Sequence, residues 1–334
     1  MYKKMLFTLT AAMIALVMFT ACGSTEESDM LTTVRVSEVT RSVFYAPQYV
    51  AIELGFFEAE GIQIDLITSD GADRVMTALL TGAVDIGFSG PEATIYVWAG
   101  GRDDLAVTFA QLTQRDGSFL IAREPMPDFS WDDIRGSHVL PGRRGGMPFM
   151  VLEYVVRGKG IMPNIDVDFD TSIQFAAMVG AFLGGTADFV TAFEPVASTI
   201  ELEGRGYVVA SVGEASGDIP YTAYYALASF IAENPDVIQG FTNAIARGQQ
   251  WVLNNPPEET ARIIAPFFPD ADPVILTSAI ARYISIEAYA PTPVISPDSF
   301  ERLQRVMDSA GELPAHAPFD LLIDNRFAEV AAGR

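Results

Sequence analysis

Six short loops in this sequence follow predicted strands and combine aromatic, carboxylate, guanidinium and glycine residues, so binding chemistry is expected there. The rings of Phe44 and Tyr45 offer a flat ligand a stacking surface at small entropy cost. The glycine-rich loop at residues 142–147 offers backbone N–H groups and two guanidiniums to an anion. The candidate ligand-binding residues are Arg41, Phe44, Tyr45, Asp70, Ser89, Glu92, Arg143, Gly145, Glu194, Asp218 and Tyr221.

These candidates also have purely structural explanations, which the sequence alone leaves open. Phe44 and Tyr45 would also serve to cover the edge of a hydrophobic core. Ser89 fits an ordinary helix N-cap, and a carboxylate such as Glu194 at a helix start favours the macrodipole. Arginines on a surface turn, such as Arg143, are commonly just solvated.

Residues for catalysis or metal binding are scarce. The sole cysteine is Cys22, and the two histidines, His138 and His316, belong to no cluster with metal-ligand spacing. No Gly-x-Ser-x-Gly elbow accompanies a candidate triad. We therefore expect no catalytic residue, no metal, no cofactor and no intrachain disulfide, and we predict that the chain is not an enzyme.

The composition indicates an acidic, folded protein. The 334 residues are 49% hydrophobic and carry a formal net charge of −22, so the chain can bury one large core or two medium ones. An acidic surface repels phosphate backbones, which disfavours a nucleic-acid partner. The charge otherwise serves solubility.

The first residues are typical of a secretory signal. Lys3 and Lys4 precede an apolar run from Met5 to about Phe19, which suits a signal-peptide core and is short for a membrane span. Small residues then lead into Cys22, and this ending resembles the lipobox of bacterial lipoproteins. The resemblance implies a signal peptide at residues 1–21, lipid attachment at Cys22, a tether at residues 22–31 and an extracytoplasmic, membrane-anchored location.

The elements that must position the loops begin with alternating strands and helices. Residues 34–39, 62–66 and 85–88 have strand patterns. Two helices lie between these strands. The first is predicted to begin near Pro47, and the second carries apolar residues at helical spacing over residues 75–80. This order predicts a parallel sheet flanked by helices.

A second unit of the same construction follows. Residues 79–86 align with residues 182–189 as helix, glycine, aspartate and strand. Chance similarity between two α/β units is an alternative explanation, but two similar lobes are the preferred interpretation. Residues 119–122 and 221–227 are predicted to cross between the lobes. After Ala228 the pattern is mainly helical.

Four motifs together resemble one family of binding proteins. They are the YVA-E-GFF-EG-like opening at residues 45–62, the turn at 81–87, the tryptophan motif at 131–139 and Phe193-Glu194-Pro195. The family comprises binding proteins of ATP-binding-cassette (ABC) importers for aliphatic sulfonates, taurine, nitrate and the pyrimidine precursor of thiamine. The resemblance covers roughly residues 34–255.

The resemblance implies a type II periplasmic-binding-protein fold: two α/β lobes, each a mainly parallel sheet flanked by helices, joined by a two-strand hinge. We predict residues 32–121 plus 225–334 as lobe 1 and residues 122–224 as lobe 2. The expected partners are a small molecule in the cleft, a permease with a separate ATPase, and the membrane through Cys22. We expect a monomer.

The ligand is predicted from the balance of charge in the loops. Acidic candidates offset the arginines, which disfavours a small inorganic anion and favours a nitrogen heterocycle such as a pyrimidine. A sulfonate, taurine or nitrate ligand is the alternative. A pyrimidine-synthase-like enzyme or a sensory lipoprotein on the same fold are alternatives of another class, although those enzymes carry a cysteine-rich motif and histidines that bind iron, whereas this chain has only Cys22, His138 and His316.

Overall fold

The computed structural model describes residues 31–333 of the chain. The predicted signal peptide, Cys22 and most of the predicted tether lie outside these described residues. The described residues contain two five-stranded sheets.

The first sheet has the strand order β2-β1-β3-β10-β4. Strands β1, β2 and β3 are parallel, whereas β10 runs antiparallel to both β3 and β4. One late strand thus returns to the middle of a sheet built by the first part of the chain. Its strands are β1 (Thr32–Glu38), β2 (Ile62–Thr68), β3 (Ile86–Ser89), β4 (Ala106–Thr113) and β10 (Thr222–Leu227).

The second sheet has the order β7-β6-β8-β5-β9 and repeats this plan. Strands β6, β7 and β8 are parallel, and β5 runs antiparallel to its neighbours β8 and β9. Its strands are β5 (Ser118–Ala122), β6 (His138–Leu140), β7 (Asp168–Phe169), β8 (Phe189–Phe193) and β9 (Tyr207–Ser211).

Helices flank both sheets, and short 3₁₀ turns connect several elements. The helices are α1 (Ala46–Glu53), α2 (Ala72–Leu80), α3 (Glu92–Ala99), α4 (Met147–Gly158), α5 (Phe175–Leu183), α6 (Val196–Leu202), α7 (Val212–Ser216), α8 (Ala228–Glu233), α9 (Pro235–Asn254), α10 (Pro257–Ile264), α11 (Pro273–Ser285), α12 (Pro297–Ser309), α13 (Phe319–Leu322) and α14 (Arg326–Ala331).

The chain passes between the sheets twice. The first crossing is residues 114–117, between β4 and β5, and the second is residues 217–221, between α7 and β10. The predicted crossing strands are instead β5 and β10 themselves, because both pair along their length within a sheet. The division into lobes by residue range stays a prediction, and its boundaries lie a few residues after these crossings.

The hydrophobic core is continuous from one sheet to the other. Residues 32–333 belong to one compact unit, and a single apolar cluster includes Val36 and Phe88 of the first sheet and Leu120 and Val190 of the second. The cores of the two lobes are therefore in contact. Burial of this apolar surface is the main stabilising contribution to the fold.

Candidate functional site

The loops after β1 and β8 and the second crossing meet at one place. The Phe44 ring centroid lies 6.0 Å from that of Phe193 at the end of β8 and 5.6 Å from that of Tyr221. It lies 5.0 Å from the centroid of Tyr283 on α11. Strand-end loops of both sheets thus share one location, as the carboxyl ends of α/β sheets do when they bind a ligand.

Local sequence fixes the ring of Phe44 in this position. The Ser42 hydroxyl caps the 3₁₀ turn Val43–Tyr45 by accepting a hydrogen bond from the Phe44 N–H at 3.2 Å. A Cβ atom on Gly117 would lie 2.6 to 2.9 Å from carbon atoms of the Phe44 ring. Only glycine therefore lets the first crossing pack this closely against the loop after β1.

Phe44, Tyr45, Phe193 and Tyr221 form an aromatic cluster between the sheets. The rings of Tyr45 and Phe88 meet edge-on with centroids 4.6 Å apart, and those of Phe193 and Tyr221 are 6.4 Å apart. Phe44, Tyr45 and Tyr221 are each at most 5% exposed. The three predicted aromatic candidates thus come together, and they line a buried rather than an open region.

Glu92 places an unpartnered carboxylate oxygen at the edge of this cluster. It is the first residue of α3, is 6% exposed, and its Oε2 has no hydrogen-bond partner among the described residues. Burial raises the pKa of Glu92 to about 7, against the lowering effects of its own backbone N–H and of Arg143. A Cβ atom on Gly90 would overlap this carboxylate, so a larger residue there would require the Glu92 side chain to shift.

Asp116 supplies a second buried carboxylate, in the first crossing. Its Oδ1 accepts hydrogen bonds from the Ser118 N–H at 2.6 Å and the Ser118 hydroxyl at 2.5 Å. Its Oδ2 has no partner among residues 31–333, although Asp116 is fully buried. Burial raises the pKa of Asp116 to about 7, and the bonds from Ser118 oppose that shift.

The Tyr221 hydroxyl, which is also buried, likewise makes no hydrogen bond with the described residues. Burial raises its pKa well above the ordinary value, and the neighbouring Asp116 and Glu92 raise it further. The hydroxyl is thus near both carboxyl groups, yet it makes no hydrogen bond of ordinary length and angle with Asp116.

Two other candidates of the first lobe are engaged within it. The Ser89 hydroxyl lies 2.6 Å from the Tyr225 hydroxyl. The Arg41 guanidinium lies 3.3 Å from the buried carboxylate of Glu38 and 5.3 Å from the ring centroid of Tyr49, although its buried Nη1 makes no hydrogen bond with the described residues. Both side chains therefore stabilise the end of the first sheet in this structure.

Glu194 is buried but already surrounded by donors. Its carboxylate accepts hydrogen bonds from the Ser198 N–H at 2.9 Å, the Ser198 hydroxyl at 3.0 Å and Arg282 at 2.8 Å. Its own N–H donates to the Tyr283 hydroxyl at 2.9 Å. A ligand contact stays a prediction for Glu194, but these contacts give its carboxylate the role of joining β8 to α6 and α11.

The remaining candidates differ in their proximity to the cluster. Arg143 is exposed and close enough to lower the pKa of Glu92. A Cβ atom on Gly145 would lie 3.7 Å from the Glu312 carboxylate, so this glycine is near the C-terminal helices. Two further acidic candidates are at the surface: Asp218 pairs with Arg115 at 2.8 Å, and Asp70 is an exposed residue with φ +56°.

Two surface cavities lie outside this region and are lined by none of the candidate residues. One, of about 180 Å³, is lined by residues such as Arg35 and Asp85, and the other, of about 350 Å³, by residues such as Asn243 and Arg247. Polar and apolar side chains line both cavities, and some of the polar ones are already paired with each other. One example is the ion pair between Arg35 and Asp85 at 2.5 Å. We therefore place the candidate site at the aromatic cluster.

Among residues 31–333, no group of three or more histidine, cysteine or acidic side chains is arranged to hold a metal ion. No helix in that part of the chain has the length and apolar character to cross a membrane.

The unpartnered atoms decide what the cluster can bind. At the cluster two carboxyl groups offer lone pairs, whereas Arg143, the guanidinium that acts on Glu92, is exposed. Burying a polar atom without a partner costs free energy, so a ligand with hydrogen-bond donors is favoured here. The aromatic rings favour a flat ligand.

Sequence reasoning missed Asp116. It lies in the stretch Gln114–Ser118 between two apolar strands, and an acid followed by glycine there resembles an ordinary turn. Its significance arises from burial at the crossing, which no local pattern in the sequence shows.

Two sheets flanked by helices, joined by two crossings and with strand-end loops of both meeting at one place, define the two-lobed fold of periplasmic binding proteins. A family description, "NMT1/THI5 like", matches residues 43–259, so the chain belongs to the NMT1/THI5-like family. The predicted fold class and the predicted family are thereby confirmed.

Similar proteins include two named relatives and many solved structures. "Putative binding protein YtlA" of Bacillus subtilis is 44% identical over 92% of this chain and 92% of that protein. "Riboflavin-binding protein RibY" of Chloroflexus aurantiacus is 26% identical over 69% of this chain and 64% of that protein. The alkanesulfonate-binding protein SsuA from Xanthomonas axonopodis pv. citri bound to MOPS has a TM-score of 0.70 at 14% identity, covering 88% of this chain and 98% of that one. This last likeness concerns the fold.

Proposed function

We propose that this protein is the extracytoplasmic solute-binding component of an ABC importer, which captures a small molecule between its lobes and delivers it to a permease. The family, the binding-protein fold and the 44% identical relative named as a putative binding protein support this role. The role requires binding without chemical conversion, and we propose that the chain is not an enzyme.

The proposed ligand is a flat nitrogen heterocycle with N–H donors, of which a pyrimidine related to the thiamine precursor is the first example. The observation that carries this proposal is the pair of unpartnered carboxyl oxygens, on Glu92 and Asp116, beside an aromatic cluster. The relative RibY is named for binding riboflavin, which is itself a flat nitrogen heterocycle. A flavin therefore belongs to the same proposed class.

A sulfonate is the second candidate. The SsuA structure carries a sulfonate-containing buffer molecule, and Arg143 lies near Glu92 in this chain. A sulfonate at the cluster would face two acidic groups and one exposed arginine, so its binding requires both carboxyl groups to be protonated. The heterocycle requires no such protonation.

The test is identification of the ligand by native mass spectrometry of the domain from residue 32 onward, followed by calorimetry. Cytosine, 4-amino-2-methylpyrimidine, riboflavin, taurine and nitrate form the panel. We expect a heterocycle to bind and taurine and nitrate to give no heat at pH 8. Binding of taurine or nitrate with no heterocycle binding would refute the proposed ligand class.

We also propose that Cys22 carries the lipid anchor that holds the protein at the membrane. The support is the sequence at residues 19–22 and the transport role. Cys22→Ala should move the protein from the membrane fraction to the soluble fraction, and Ser24→Ala should not. A Cys22→Ala protein that stays in the membrane fraction would contradict anchoring at this residue.

A further inference from the structure

The two crossings run side by side and are hydrogen-bonded to each other. The Ile219 N–H donates to the Gln114 carbonyl oxygen at 2.8 Å, and the Tyr221 N–H donates to the Thr113 carbonyl oxygen at 3.1 Å. The crossings therefore form a short two-stranded ribbon between the sheets. A ribbon of this kind presents successive side chains to opposite faces.

The two faces of this ribbon have different partners. On the outer face, Arg115 pairs with Asp218 at 2.8 Å, and the Asp218 side chain is 51% exposed. On the inner face, Asp116 is fully buried and Tyr221 is 5% exposed. One face thus satisfies its charges with an ion pair at the surface, while the other carries polar groups into the interior.

The hydrogen bonds of the inner face are incomplete. Asp116 uses Oδ1 for Ser118, whereas its Oδ2 and the Tyr221 hydroxyl lie close enough to affect each other's pKa but make no hydrogen bond of ordinary length and angle within the described chain. Tyr221 is also in ring contact with Phe44, so these atoms lie at the aromatic cluster. A buried polar atom without a partner costs free energy, which a ligand can recover.

We propose that the two crossings are themselves a recognition element of the ligand site, in which Asp116 Oδ2 accepts a hydrogen bond from a ligand N–H group and the Tyr221 hydroxyl bonds a neighbouring polar atom of the ligand. This inference rests on the proposed function and adds Asp116 to its site. The ligand would contact the segments about which the lobes move, and its binding would hold them together.

The experiment compares Asp116→Asn and Tyr221→Phe with the wild-type domain by calorimetry with the panel heterocycle that binds, and by thermal unfolding without ligand. Asparagine keeps the oxygen that accepts from Ser118 but turns an N–H group toward the ligand. We expect affinity to fall about 10- to 100-fold for Asp116→Asn and about 10-fold for Tyr221→Phe, the loss expected for one buried hydrogen bond.

The ligand-free stability separates recognition from a structural role. At pH 8 we expect Asp116→Asn to unfold at the same or a higher temperature than the wild type, because it removes a buried, partly unpartnered charge. Lower stability with unchanged affinity would overturn the inference and show that Asp116 and Tyr221 serve only each other. The controls are Asp132→Asn, an exposed acid, and Thr260→Val, a buried unpartnered hydroxyl on α10.

The outcomes distinguish this inference from the function on which it rests. If the wild type binds a heterocycle and both variants bind it equally well, the recognition element is wrong while the proposed function stands. If the wild type binds taurine or nitrate and no heterocycle, the proposed ligand class and the donor to Asp116 are both overturned.

Discussion

The two sides of the aromatic cluster contain buried carboxylates of opposite character. At the end of β8, Glu194 accepts bonds from Ser198 and Arg282, which together satisfy both of its oxygens. At the start of α3 and in the first crossing, Glu92 and Asp116 each keep one oxygen without a partner. Both kinds of carboxylate are almost fully buried, so burial alone does not mark a binding residue; we propose binding only for the carboxylates that keep an unused oxygen beside the aromatic cluster.

The difference also concerns stability. A paired buried charge is costly to break, whereas an unpaired one is costly to keep. We therefore expect substitutions around Glu194 to act mainly on folding, and substitutions at Glu92 and Asp116 to act mainly on binding.

The largest expected effect is a loss of stability when the ion pair of Glu194 with Arg282 is broken. Arg282→Met leaves the fully buried carboxylate of Glu194 without its cation, and we expect the free energy of unfolding to fall by about 3 kcal/mol. Urea unfolding measures this. The control is Arg305→Met, whose 3.9 Å pair with Glu301 is exposed and should contribute less than about 1 kcal/mol. A loss for Arg282→Met no larger than that of the control would contradict the comparison.

The two carboxyl groups with an unpartnered oxygen, Glu92 and Asp116, should make the stability of the ligand-free protein depend on pH. Burial raises the pKa values of Glu92 and Asp116 to about 7, so both are protonated in the folded state and ionised in the unfolded state between about pH 4 and 7. The folded state then binds more protons, and stability falls as pH rises through this window, by on the order of 1 kcal/mol per pH unit for each group.

Glu38, whose pKa burial also raises, adds to this fall, and above pH 7 the stability should level off. Urea unfolding at pH 5, 6, 7 and 8 tests the dependence. The double variant Glu92→Gln/Asp116→Asn should show a shallower slope than the wild type. An equal slope would show that these two carboxyl groups do not titrate in the native protein as described.

Glu92→Gln tests whether a single unpartnered carboxylate acts on binding rather than on stability. Glutamine keeps the size and one acceptor oxygen but loses the charge, so the bond to a ligand N–H group should weaken. We expect about 10-fold weaker binding of the heterocycle at pH 8 in calorimetry, with stability unchanged or increased. Glu153→Gln, a buried acid on α4 that pairs with Arg157, is the control and should bind normally. Normal binding by Glu92→Gln itself would remove Glu92 from the site.

The smallest expected effect is on binding at Glu194. Because its oxygens are occupied by Ser198 and Arg282, Glu194→Gln should change ligand affinity by less than about 3-fold while lowering the unfolding temperature. Calorimetry and thermal unfolding of the same preparation provide both values. A large loss of affinity with unchanged unfolding would restore Glu194 as a ligand contact.

The sequence predicted the elements well because their patterns are local. The strand pattern at residues 62–66 is confirmed as β2, and the predicted helix start near Pro47 is confirmed as α1. The mainly helical pattern predicted after Ala228 is confirmed by the helices from α8 to α14. The spacing of apolar residues and the proline and glycine residues that end an element act over only a few positions. A single sequence is therefore enough to predict these elements.

The site was predicted only in part, because partners are not local. The sequence brought Phe44, Tyr45 and Tyr221 to one place correctly, since strand ends of an α/β sheet converge. It could not show that Arg282, 88 residues further along the chain, occupies the carboxylate of Glu194. Nor could it show that Asp116 is buried, because burial at a crossing depends on the packing of two lobes.

The central claim is that the ligand meets buried acceptor oxygens with N–H donors. Calorimetry of the binding heterocycle at pH 6.5, repeated in buffers of different ionisation enthalpy, measures the protons exchanged on binding. Glu92 and Asp116 are largely protonated at this pH, whereas a donor ligand binds their ionised forms, so we expect net proton release on binding, and less of it in the double variant. Net proton uptake, or no exchange of protons, would contradict it.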